Sequence, residues 1–140
     1  MILIIISNVI SYYKSTNINK IKFDIENISL NNKPILVHFW ATWCPICKVE
    51  APNIQSLSNN YNVVTIAVNS GDDIKISNYL KKNNLNFKII NDPNSFYANK
   101  FNVKVFLATL IYDKDKNLIF SEVGYTSTLG LQLRMLWAGL

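Results

Sequence analysis

Apolar and polar positions recur along this chain with two different spacings, and the switches between them mark out its elements. Ile35 to Trp40 is an apolar, partly β-branched run entered through Asn32-Lys33-Pro34, and it reads as a buried strand. From Cys47 onward, Val49, Ile54 and Leu57, with Ala51 between them, fit one face of a helix for which Thr42 is a candidate cap. Val63 to Val68 is a second buried strand. Ser70-Gly71-Asp72-Asp73 then offers a cap and an acidic first turn to a helix that starts with Ile74, Tyr79 and Leu80 and ends near Asn83-Asn84. Phe87 to Ile90 is a third, short strand. Asp92, as cap, and Pro93, at the first helical position, open a small helix from Asn94 to Phe101. Val105 to Tyr112 and Asn117 to Val123 are strands joined at Asp113-Lys114-Asp115-Lys116 as a closing hairpin, and Thr126 to Trp137 is a last amphipathic helix. Strands alternating with helices in this way call for a parallel sheet, to which the hairpin adds antiparallel strands.

Ahead of these elements, Met1 to Tyr13 is apolar but shorter than the roughly 20 residues of a membrane span, and no basic segment precedes it as in a secretory signal. It reads as an added strand or loose terminus, or, by the family resemblance given below, as the tail of a signal anchor. Lys14 to Lys20 is a polar linker, and Ile21, Phe23, Ile25, Ile28 and Leu30 alternate with polar residues as in a short hairpin. The chain thus divides into an amino-terminal segment with its linker, residues 1–20, and one domain, residues 21–140.

Composition agrees with one domain: 140 residues, 49% of them hydrophobic, suffice for a real core. The net charge of +5 comes from scattered lysines with no interleaved aromatics, so it reads as a solvated basic surface and not as a nucleic-acid site. The abundance of Asn, Ile and Lys reports a nucleotide-composition bias more readily than a function.

The candidate chemistry lies between the first strand and the first helix. The chain's only cysteines, Cys44 and Cys47, are separated by Pro45-Ile46 at the helix's amino end. Unpaired backbone N–H groups and the helix dipole favour an anion there, so the Cys44 thiol should ionise below its free value of about 8.5. Cys47 follows one turn later, close enough to close a small ring, and Pro45 suits a first turn that does not need its N–H. Cys44 then exchanges with a partner's disulfide or thiol and Cys47 resolves the mixed disulfide. Pro52, deeper in the helix, should kink it and free a carbonyl. Half of a structural zinc site would require two further ligands, where His38 is the only histidine, and the strand-to-helix setting also argues against a pair of inert thiols.

The segment Leu36 to Pro52, with its W-C-P-I-C-x-x-E-x-P pattern, resembles the active site of thioredoxin-fold disulfide oxidoreductases, especially the TlpA-like branch. Ala67 to Asp73, Val103-Lys104-Val105, Gly124-Tyr125-Thr126-Ser127 and Leu131 to Trp137 extend the likeness to the ScsD-like proteins, named for suppression of copper sensitivity. The resemblance runs over about residues 20 to 138. It implies a thioredoxin fold, a central mixed β-sheet flanked by helices, with Cys44 exposed and Cys47 buried behind it. It also implies a periplasmic, inner-membrane-anchored protein that exchanges disulfides with exported cysteine-containing proteins and with a membrane or soluble redox partner. No dissociable cofactor and no metal is implied.

Further roles follow from the same resemblance. Trp43, Pro45 and Ile46 should form the surface around Cys44, with Lys48 a solvated charge. His38 stands on the central strand where thioredoxin-like proteins often hold a buried carboxylate under the second cysteine; it reads as a proton acceptor for Cys47 or as a satisfied core histidine. Glu50, three residues after Cys47, matches the glutamate that TlpA-like reductases keep near their cysteines; it reads as a proton carrier that raises the thiol pKa values or as a solvated helix residue. Where the family places a cis-proline in its substrate loop, this chain has Phe106-Leu107, and a cis bond before leucine would cost roughly 2.5 to 4 kcal/mol. That loop is expected to be rebuilt, with Phe106 and Leu107 as an apolar platform. Two other classes remain in view: a Cu(I)-binding protein using the same sulfurs with His38 nearby, and a non-catalytic relic with a disabled substrate loop.

Overall fold

A computed structural model describes residues 33–103 and 108–139. The expected amino-terminal segment, linker and hairpin, and the expected platform at Phe106 and Leu107, lie outside the described residues. The elements run β1 (Ile35–Trp40), α1 (Pro45–Ser58), β2 (Asn62–Val68), α2 (Asp73–Lys82), β3 (Lys88–Asp92), α3 (Phe96–Lys100), β4 (Ala108–Tyr112), β5 (Leu118–Val123) and α4 (Thr128–Ala138).

The five strands form one sheet in the order β3-β2-β1-β4-β5. The helical crossovers through α1 and α2 make β1, β2 and β3 parallel, whereas β4 runs antiparallel to β1, and β5 to β4. This is the mixed sheet of the thioredoxin fold. β1 is its centre and is buried along its whole length. Alternation along that strand splits the core in two. Leu36 and Trp40 join Ala51, Ile54 and Leu57 of α1 and Leu131 and Met135 of α4, while Ile35, Val37 and Phe39 join Ala98, Phe101 and Val103 around α3. His38 shares its parity with Leu36 and Trp40, which puts it on the α1 side of the sheet with the cysteines.

Most boundaries fall where the pattern places them, with three corrections. α1 buries Cys47, Glu50, Ala51, Ile54 and Leu57, and Val49 is 61% exposed. Counting by 3.6 from Cys47 selects position 50, so the angular place of Glu50 outweighs the apolar character of Val49. In α2, Asp72 caps the helix by accepting from the Lys75 N–H at 2.8 Å, but Ile76, not the exposed Ile74, is the buried residue. α3 begins only at Phe96, behind Ser95 in the left-handed region (φ 61°), so Pro93 lies in the preceding turn. Asp92 still serves as the cap from a distance, its Oδ2 accepting from the N–H groups of Tyr97 and Ala98 at 3.1 Å each. Pro52 sits inside α1, which continues past it to Ser58.

Candidate active site

Cys44 is itself the amino-terminal cap of α1, in place of the expected Thr42. Its backbone is extended (φ −97°, ψ 110°), Pro45 takes the first helical position, and the Cys47 N–H donates to Cys44 Sγ at 3.3 Å. The dipole argument thus acquires a specific donor: the Cys47 N–H, one of the free donors of the first turn, points at the sulfur. Cys44 and Cys47 are joined in a disulfide with their Cα atoms 5.3 Å apart.

Both cysteines are nearly covered, Cys44 at 7% exposure and Cys47 at 2%. The order of access is as expected, but Cys44 is less open than the expectation of an exposed residue. In the oxidised pair the two cysteines pack into the apolar cluster with Trp40 and Ala41. What projects beside them is Trp43 (58% exposed), Pro45 and Ile46, the expected surface around the site. Lys48 is exposed, as expected of a solvated charge.

The loop that delivers Cys44 is held from the end of β2. Buried Ser70 accepts from the Thr42 N–H through Oγ at 3.0 Å while donating to the Val68 carbonyl at the same distance. The Trp43 indole N–H donates to the carbonyl of Asn69, a residue in the left-handed region (φ 48°) that asparagine tolerates. The sequence pattern had assigned this stretch only to the start of a helix.

His38 is buried, and its Nδ1 lies 3.0 Å from Oγ1 of Thr109, its cross-strand neighbour on β4. Desolvation lowers its pKa to about 3, so the ring is neutral at any physiological pH. Glu50 is not a solvated helix residue: it is fully buried, and its Oε1 accepts from the Thr126 N–H at 3.0 Å, at the turn into α4. Its Oε2 is buried with no hydrogen-bond partner. Burial raises the Glu50 pKa to about 7; the Thr126 N–H opposes that rise and the charge of Glu122 adds to it. Among the described residues no group of three or more His, Cys, Asp or Glu side chains is placed to hold a metal ion.

Residues 11–131 match the redoxin family. The chain is 35% identical over 117 residues to a thioredoxin-like protein of Haemophilus influenzae, which covers 83% of this chain and 69% of that relative. It is 28% identical over 108 residues to sporulation thiol-disulfide oxidoreductase A of Bacillus subtilis, covering 71% of this chain and 66% of the relative. Among solved structures, a secreted disulfide oxidoreductase of Mycobacterium tuberculosis superposes with a TM-score of 0.64 at 27% identity, over 76% of this chain and 82% of the other. The chain belongs to the redoxin family, and with its thioredoxin fold and the Cys44–Cys47 pair it is a thiol–disulfide oxidoreductase.

Proposed function

We propose that the Cys44–Cys47 pair exchanges disulfides with cysteine-containing proteins outside the cytoplasm, in a bacterial periplasm, as a TlpA-like or ScsD-like protein recycled by a membrane or soluble thiol–disulfide partner. The secreted mycobacterial structure supports a location outside the cytoplasm, where disulfides persist, and the TlpA-like and ScsD-like resemblance supports the periplasm. No helix among the described residues is long and apolar enough to cross a membrane; the inner-membrane anchor of this reading rests on the resemblance, with the apolar run 1–13 as the tail of a signal anchor.

One observation carries the chemistry: the Cys47 N–H aimed at Cys44 Sγ at the head of α1. Once the pair is reduced, that N–H and the helix dipole stabilise the Cys44 thiolate, the attacking species. The thiolate attacks one sulfur of a partner disulfide; a Cys44–partner bond forms, the partner's S–S bond breaks, and its second sulfur leaves as a thiolate that takes up a proton. Cys47 then loses its proton and attacks Cys44 Sγ, which closes the internal disulfide and releases the partner as a dithiol. Two electrons have passed to the partner. The oxidised pair runs the same steps in reverse, and its potential against that of the partner pool sets the direction.

Of the two candidate proton acceptors, Glu50 suits the resolving step. A group poised near pH 7 both takes and returns a proton, whereas an imidazole with a pKa near 3 is too weak a base. His38 is then a positioning residue, fixed by Thr109 beneath the site.

Replacing Cys47 by Ser stalls the reaction at the mixed disulfide. Incubated with a periplasmic extract, Cys47→Ser should collect covalent adducts that a reductant releases, and Cys44→Ser should collect none. Adducts on Cys44→Ser but not on Cys47→Ser would reverse the roles of the two cysteines.

A further inference from the structure

The buried carboxyl of Glu50 is not isolated from the surface. The residue that donates to it, Thr126, also turns its hydroxyl toward a second carboxylate: Thr126 Oγ1 lies 3.4 Å from Glu122 Oε2. Glu122 is in turn paired with a guanidinium, Arg134 Nη2 standing 2.6 Å from Glu122 Oε1, and both side chains are partly open to solvent. Three elements meet here: Glu50 comes from α1, Glu122 from β5 and Arg134 from α4. Thr126 therefore bridges two carboxyl groups, one sealed in the core and one at the surface, and the surface one carries its own counter-ion.

We propose that Glu122 and Arg134 form an electrostatic control on Glu50, Glu122 favouring its protonated form and Arg134 limiting that effect, and thereby set the pH at which the cysteine pair exchanges. This rests on the proposed role of Glu50 as the proton carrier for Cys47. Like charges on either side of Thr126 disfavour two carboxylates at once, so the buried, half-unpartnered Glu50 is the one that keeps a proton. The raised pKa of Glu50, to which the charge of Glu122 contributes, is consistent with this arrangement. The titratable group that shares the buried face of α1 with Glu50 is Cys47, and His38, on the same side of the sheet, is neutral and contributes no charge.

The two surface residues should act in opposite directions. Removing the charge of Glu122 eases ionisation of Glu50; removing Arg134 leaves Glu122 uncompensated and hinders it. The readout is the pH profile of alkylation of the reduced protein by iodoacetamide, for wild type, Glu50→Gln, Glu122→Gln and Arg134→Gln. The main inflection belongs to the Cys44 thiol and remains in every variant; coupling to Glu50 should add a second inflection near pH 7, absent in Glu50→Gln. Glu122→Gln should move it down and Arg134→Gln should move it up. Shifts in the same direction, or none, would overturn the proposal, because a merely structural lesion has no reason to change sign between the two variants. A second inflection near pH 7 that survives in Glu50→Gln would instead overturn the role of Glu50. Circular dichroism of each variant separates misfolding from titration. If one surface variant does not fold, Glu122→Ala or Arg134→Ala takes its place, so that the comparison of sign is kept.

Discussion

His38 and Glu50 are both buried on the α1 side of the sheet, and burial moves their pKa values in opposite directions because it penalises the charged form of each. His38 falls from 6.5 to about 3, so the stability that its neutral burial contributes is fully present above pH 6.5 and is lost as pH falls toward 3. Glu50 rises from 4.5 to about 7, so its contribution is full below pH 4.5 and is lost as pH rises through 7. Between pH 4.5 and 6.5 the two slopes oppose and cancel, so urea unfolding of the oxidised protein, in which the cysteines do not titrate, should show a plateau there, a fall below pH 4.5 from His38 and a fall above pH 6.5 from Glu50. Glu50→Gln should turn the plateau into a rise with pH and remove the fall above pH 6.5, a change relative to wild type of at most roughly 3 kcal/mol across pH 4.5 to 7. His38→Gln should flatten the acid limb. An unchanged alkaline limb in Glu50→Gln would mean that the carboxylate is already ionised in the fold.

The cysteine motif and the strand-to-helix setting of these residues were legible in the chain, whereas the surroundings of His38 and Glu50 were not. His38 meets Thr109 and Glu50 meets Thr126, partners 71 and 76 residues away, which only the strand register and the docking of α4 bring together. Local periodicity carries no information about either contact.

At the level of elements, the short helix α3 depends on an acceptor that lies outside it. Ser95 makes no side-chain cap bond, and buried Asp92 takes the N–H groups of both Tyr97 and Ala98. Asp92→Ala would leave two helix-terminal donors without that acceptor and should cost roughly 1 to 2 kcal/mol in urea unfolding. Asp92→Asn keeps an oxygen and should cost less; equal losses would mean that charge, and not acceptor geometry, is what Asp92 supplies. The residue type of this cap was readable from the sequence, but its distance from the helix was not, because Ser95 takes a left-handed conformation that spaces the two apart. The reverse holds for α1. There the 3.6-residue period already placed Glu50 on the buried face, and residue polarity concealed it.

Across the whole molecule, the order β3-β2-β1-β4-β5 puts the strand leading to the cysteines at the centre of the sheet, between two apolar clusters. A rigid support under a reactive turn is what disulfide exchange requires, since the two sulfurs must meet and part while the chain around them stays in place. Alternation of strand and helix pointed to the parallel strands of this sheet, whereas the anchoring of the Thr42-Trp43 turn by Asn69 and Ser70 emerges only when β1 and β2 lie side by side. The most direct test of the account is the redox equilibrium of the folded protein in glutathione buffers of graded potential, with the Cys44–Cys47 state read by thiol trapping. The account predicts one reversible two-electron transition, tenfold in its equilibrium constant for about every 30 mV, that is absent in Cys44→Ser. A pair that stays locked in one state across the range, or that changes state only when the chain unfolds, would contradict it.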